Sequence, residues 1–117
     1  MDKRAVLMKT RSAHLGQDRS LEFAKAIDMS LPHWLAAIRL SRDISEHDNW
    51  DNRRSPHALK IDCIYLIAKK HNKKISRNKF VKLTKEMFGV STQPRPNDWK
   101  PLFKELVEGY LDEVATA

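Results

Sequence analysis

Apolar residues recur at three- and four-residue intervals through most of this chain, and no stretch alternates polar and apolar positions as a half-buried strand would. Helix boundaries can therefore be read from cap and stop signals. Residues 3–14 carry Ala5, Val6, Met8 and Ala13 on a loosely amphipathic stretch ended by Gly16, a residue suited to the left-handed turn past a helix end. Ser20 is placed to cap a helix over 21–29, with Leu21, Ala24, Ile27 and Asp28 at helical spacing and Phe23 beside them. Proline is accepted in a first turn and not in a helix interior, so Ser30, Leu31 and Pro32 predict a bend and a new helix. That helix carries Trp34, Leu35, Ile38 and Leu40 to about Asp43.

Residues 45–55 have no apolar period and many turn formers, which predicts a loop with Trp50 in its middle. Ser55 and Pro56 then open the most apolar run in the chain, from Ala58 through Ile61, Cys63, Ile64, Tyr65 and Leu66 to Ala68, and predict a central helix over 56–71. Asn72 ends it, Ser76 caps the next helix over 77–88, and Gly89 closes that one. At 100° per residue Phe80, Leu83, Thr84 and Met87 share one side of helix 77–88, while Asn78, Lys79, Lys82 and Lys85 share the other. Pro94 and Pro96 bar a helix through 90–97. Asp98 is placed to cap a last helix with Trp99, Phe103, Leu106, Tyr110 and Val114 on its inner face, weakened modestly by Gly109.

The pattern implies an all-α, single-domain helical bundle of about five helices, spanning residues 1–117 with helix 56–71 at its centre. A length of 117 residues suits one domain with a single core. Helix 56–71, a short turn and helix 77–88 also have the outline of a helix-turn-helix, with 90–97 as a wing-like arm. The turn lacks the usual glycine, and any antiparallel helix pair has this outline, so the plain bundle is preferred. The last helix carries a broad apolar strip, Leu102, Phe103, Leu106, Val107, Tyr110, Leu111 and Val114, wide enough for a core and for a partner such as a second copy in a homodimer.

Charge changes this picture. The net charge of +7 is unevenly placed: residues 1–52 hold eight Lys/Arg and eight Asp/Glu, residues 53–85 hold eleven against one, and residues 86–117 hold three against six. Nothing in helix formation calls for so unbalanced a middle third, so an anionic partner is its simplest explanation. Arg53, Arg54, Lys69, Lys70, Lys73, Lys74, Arg77, Lys79, Lys82 and Lys85 are the candidate phosphate contacts. Seven of these ten are lysines, which suits backbone contact better than base reading. Trp50, in a polar loop beside Arg53 and Arg54, either stacks on a base or plugs the core from the loop. Trp34 and Trp99 lie on apolar helix faces and are expected in the core.

Other chemistry is poorly supplied. The histidines His14, His33, His47, His57 and His71 show no zinc-ligand spacing with one another or with Cys63. Asp43, Glu46, Asp48 and Asp51 could hold magnesium in a nuclease, but solvated turns and helix caps account for them more simply. There is no glycine-rich phosphate loop and no nucleophile elbow. No cofactor and no catalytic centre are expected. One cysteine, no apolar run of membrane-spanning length and no secretory signal lead to the expectation of a soluble cytoplasmic protein. The expected function is non-enzymatic: a DNA- or RNA-binding regulator, or a small subunit of a ribonucleoprotein complex. The alternative is a protein-interaction module whose basic face docks an acidic partner surface.

Overall fold

A computed structural model describes residues 19–72 and 74–115 of the chain. The helix expected over 3–14, its stop at Gly16, and Lys73 lie outside the described residues. Within them are five α-helices and no strands: α1 over residues 19–26, α2 Leu31–Ser45, α3 Pro56–His71, α4 Arg77–Phe88 and α5 Lys104–Ala115. None of these helices is long and apolar enough to cross a membrane.

Serines start three of them. Ser30, Ser55 and Ser76 have extended backbones, and their side chains accept the main-chain N–H of His33, Ala58 and Lys79, satisfying donors that a first turn leaves without partners. Gly89 closes α4 at φ +80°, a left-handed conformation that a Cβ would strain.

Two expectations about α1 are corrected. Ser20 is not its cap but lies inside it, buried, where its hydroxyl accepts the indole N–H of Trp34 at 3.2 Å. The helix also stops three residues before Met29, because Asp28 turns left-handed at φ +64°. Met29 N–H then bonds the Ala24 carbonyl at 2.9 Å and Asp28 N–H that of Lys25 at 3.0 Å, the paired closure of a Schellman ending with aspartate at the usual glycine position. Aspartate tolerates this conformation better than most residues, since its short side chain can bond locally.

α3 is the centre of the molecule. Every residue from Ile61 to Ala68 is buried, so the helix is enclosed on all sides. α2 packs along it most extensively and also meets α5. At the α2–α5 seam the Tyr110 hydroxyl donates to Asp43, and Arg39 pairs with Glu113 at 3.3 Å. Burial first, and then that bond to Asp43, push the Tyr110 phenol up to about 12. On another side of α3, Phe80 of α4 meets Phe23 of α1 and Tyr65 of α3 edge to face, each at 4.9 Å between ring centroids.

The C-terminal third differs from its expected form. Asp98 does not cap the last helix; it ends a 3-10 turn over Pro96–Asp98, which is followed by a second over Lys100–Phe103 before α5 begins. Trp99 is nevertheless fully buried, as its apolar spacing implied. The strip on α5 is largely used up by the core: Phe103, Val107, Tyr110 and Val114 are buried, Leu106 and Leu111 half-buried, and only Leu102 is exposed.

His33 near the start of α2 stacks on His71 at the end of α3, with centroids 3.8 Å apart and planes 16° from parallel. Burial first, then the neighbouring His33 and Lys70, hold the His71 imidazole below its ordinary pKa, so its neutral form fits the fold better. His57 is lowered in the same sense by burial and by Lys60. The unfolded chain therefore binds more protons as acid is added. Stability from these groups is present above the ordinary histidine pKa of about 6.5 and is lost as pH falls through the depressed folded values. Urea denaturation at pH 7.5 and pH 5 should show a decrease toward acid that is smaller in His71→Gln.

Candidate nucleic-acid interface

The middle third contains a single acid, Asp62, and the fold places it fully buried on α3. An ionised carboxylate in such surroundings needs every lone pair satisfied, and here each is. Oδ1 accepts from Arg54 Nη2 at 2.8 Å and from the Arg95 main-chain N–H at 2.8 Å. Oδ2 accepts from Arg54 Nε and from Trp99 Nε1, both at 2.9 Å. Arg54 Nη2 also donates to the Gln93 carbonyl at 2.9 Å. The bond to Asp62 holds the Arg54 guanidinium above its ordinary pKa, so it stays charged although its side chain is only 16% exposed.

This cluster takes Arg54 largely out of the phosphate-facing set: its Nε and Nη2 donors are committed to Asp62 and the Gln93 carbonyl, and its side chain is only 16% exposed. Arg53 is also largely committed. It donates to both Asp51 oxygens and, through Nη1, to the Asp98 carbonyl at 2.7 Å, and its guanidinium holds the Asp51 carboxyl below the usual range. The two arginines bind the loop 46–55 to the C-terminal third. Trp50 is half-buried, with its ring 6.1 Å from Phe103, so of its two readings the core plug fits the observed packing.

The same cluster fixes an extended strap, residues 90–95, that runs from α4 back across α3. Thr92 N–H donates to Thr84 Oγ1 at 2.9 Å at one end, and Arg77 donates to the Pro94 carbonyl and to Gln93 Oε1 further along. The strap and the turn after it wall a cleft of about 710 Å³ against the end of α3 and the start of α4. Lys69 and Lys70 come from α3, Arg77 from α4, and Arg95 and Lys100 from the C-terminal side, with Asp98 the one acid among the lining residues. Lys69 Nζ donates to the Ile75 carbonyl at 3.1 Å, and the Arg77 guanidinium lies 5.5 Å from the centroid of the Tyr65 ring. An arginine has five donors, so Arg77 retains capacity toward a ligand beyond its bonds to Gln93 and Pro94.

The remaining lysines follow α4 in another direction. Lys74, Lys79 and Lys82 line a groove of about 430 Å³ between α4 and α1, floored by Ala26, Ile27, Ile75 and Leu83. Lys79, Lys82 and Lys85 are exposed, on the side of α4 opposite the buried Phe80 and Thr84. Of the basic block, Lys69, Lys70 and Arg77 thus line one cleft, and Lys74, Lys79 and Lys82 line another together with Glu86. Arg95 and Lys100 were missed because they lie in a stretch whose net charge is negative. The signal available was their setting among Pro94, Pro96 and Pro101, which bar a regular helix there and favour a surface turn.

No group of three or more His, Cys, Asp or Glu side chains placed to hold a metal ion occurs among the described residues. Asp43 and Asp51, from the acidic cluster noted in the sequence, are held by Tyr110 and Arg53 respectively. Cys63 is buried, and burial together with the nearby Asp62 pushes its thiol well above the ordinary pKa, which leaves it without nucleophilic character near neutrality. Comparison of the chain with protein-family models, with curated proteins and with solved structures finds no match.

Proposed function

We propose that this chain is a non-enzymatic nucleic-acid-binding protein that holds backbone phosphates with the cations gathered around the α3–α4 turn. The observation that carries this reading is the convergence on one cleft of Lys69, Lys70 and Arg77 from the basic block with Arg95 and Lys100 from outside it. Charges from three separate segments meet there, and Lys74, Lys79 and Lys82 extend the field onto the adjoining groove. Self-repulsion opposes such a gathering, and an anionic ligand relieves it. Lysine predominates, which fits phosphate contact in place of base reading.

Fluorescence polarisation with labelled DNA and RNA across a salt series tests this. Binding should weaken steeply with salt, each neutralised phosphate contributing a log–log slope of about −0.7 to −0.9. The Lys74, Lys79, Lys82→Glu triple variant should bind more than about tenfold more weakly, with a slope shallower by about two to three. Absence of binding at low salt to either nucleic acid rejects the reading.

The apolar floor of the α1–α4 groove favours a second reading, in which an acidic amphipathic segment of a partner protein lies between Lys74, Lys79 and Lys82. A chain that binds no nucleic acid at low salt leaves that reading in place.

A further inference from the structure

Within that nucleic-acid reading, on which this inference rests, we infer that the cleft between the 94–100 segment and the end of α3 with the start of α4 is a site for single-stranded nucleic acid, with Arg95 and Lys100 as contact residues. Three features of the cleft separate a single strand from a duplex.

The first is shape. Cations approach from three segments around a concave space of about 710 Å³, in the size range of pockets that enclose small ligands. A duplex is stiff over about 150 base pairs and carries its phosphates on a convex cylinder, so only one backbone ridge can approach a concavity. A single strand can bend consecutive phosphates inward toward cations on facing walls.

The second is the floor. Leu66, Pro94, Pro96 and Leu111 line the cleft beneath the charged rim, and Pro96 and Leu111 are half-buried, leaving apolar surface accessible. Unpaired bases have apolar faces to lay on such a surface, whereas in a duplex those faces are stacked on one another. Tyr65 is also on the lining, but its ring is 8% exposed and has Arg77 over it, so it offers no stacking platform. The site therefore grips backbone with little preference among bases.

The third is availability. Arg95 and Lys100 contribute no side-chain hydrogen bond or ion pair to the fold among the described residues, and the bond that anchors Arg95 to Asp62 comes from its main chain. Both residues line the cleft, and neither side chain takes part in the bonds that hold the core.

The test compares a labelled twelve-nucleotide thymidine strand with a blunt duplex of equal length, using the wild-type chain and Arg95→Glu/Lys100→Glu. Circular dichroism and thermal melting of both proteins establish that the variant folds, and Arg95→Gln/Lys100→Gln supplies a charge-neutral second variant. Single-strand affinity should fall about tenfold or more in the reversal variant, with a salt slope shallower by about one to two, while duplex affinity changes by less than about twofold. A wild-type chain that binds the strand as tightly as both variants do overturns the inference and leaves the broader function intact. Equal losses on strand and duplex overturn the single-strand assignment. A wild-type chain that binds neither probe overturns the function and the inference together.

Discussion

Asp62→Ala should lower the stability of this protein by about 3–5 kcal/mol, because it leaves the Arg54 guanidinium charged and largely buried without its carboxylate. The main-chain N–H of Arg95 and the indole N–H of Trp99 lose their acceptor in the same step. For a domain whose total stability is about 5–15 kcal/mol, this is a large fraction. Urea denaturation followed by tryptophan fluorescence should show the loss, with Trp99 emission shifting to longer wavelength as its surroundings loosen. An Asp62→Leu/Arg54→Met double variant removes the stranded Arg54 charge but still leaves the Arg95 and Trp99 N–H groups without their acceptor, so it isolates the part of the loss due to the uncompensated charge. With no unpaired charge left inside, the double variant should be clearly more stable than Asp62→Ala, though below the wild type by the cost of the two N–H groups it strands. A loss below about 1 kcal/mol for Asp62→Ala would mean that the carboxylate does not hold the strap in place.

The second large effect is at Phe80. Its ring is 1% exposed and meets Phe23 and Tyr65 edge to face, so one side chain joins α4 to both α1 and α3. Truncation of a buried phenylalanine costs about 3–5 kcal/mol through lost transfer energy and the cavity left behind. Phe80→Ala should lie in that range and Phe80→Leu below it, since leucine leaves a smaller cavity although it gives up both ring contacts. Hydrogen exchange should then show α1 opening before α3, because Phe23 is the buried aromatic through which α1 meets α4. Uniform loss of protection across all helices would contradict this order.

Much of the helical frame was legible in the sequence because it depends on short-range chemistry. A serine before the first helical residue, a proline in the first turn and a glycine past the last one act within a few residues of chain, and α3 and α4 have the boundaries those signals imply. Where local rules failed, a contact from elsewhere decided the outcome. Ser20 has the chemistry of a cap, but Trp34 is fourteen residues away and takes its hydroxyl. Asp28 sits at helical spacing, yet the chain turns there to deliver α2 onto α3.

The candidate site was legible in composition and not in geometry. A charge count treats Arg54 and Lys82 alike, although one is enclosed with Asp62 and the other projects from α4. What divides Arg53 and Arg54 from Lys79, Lys82 and Lys85 is that the fold brings each of the two arginines a carboxylate, whereas the three lysines lie exposed along α4. The one warning in the sequence was Asp62 itself, a carboxylate inside an otherwise apolar run, which must find cationic and N–H partners to be tolerated there.

Position 95 divides two duties between backbone and side chain. Its amide fastens the interior, and amides are common to every residue except proline, so the carboxylate beneath accepts almost any side chain there. The outward half of the residue can then change sign or length under selection for a ligand while the fastening underneath remains. Proline is the one natural residue that would break both at once.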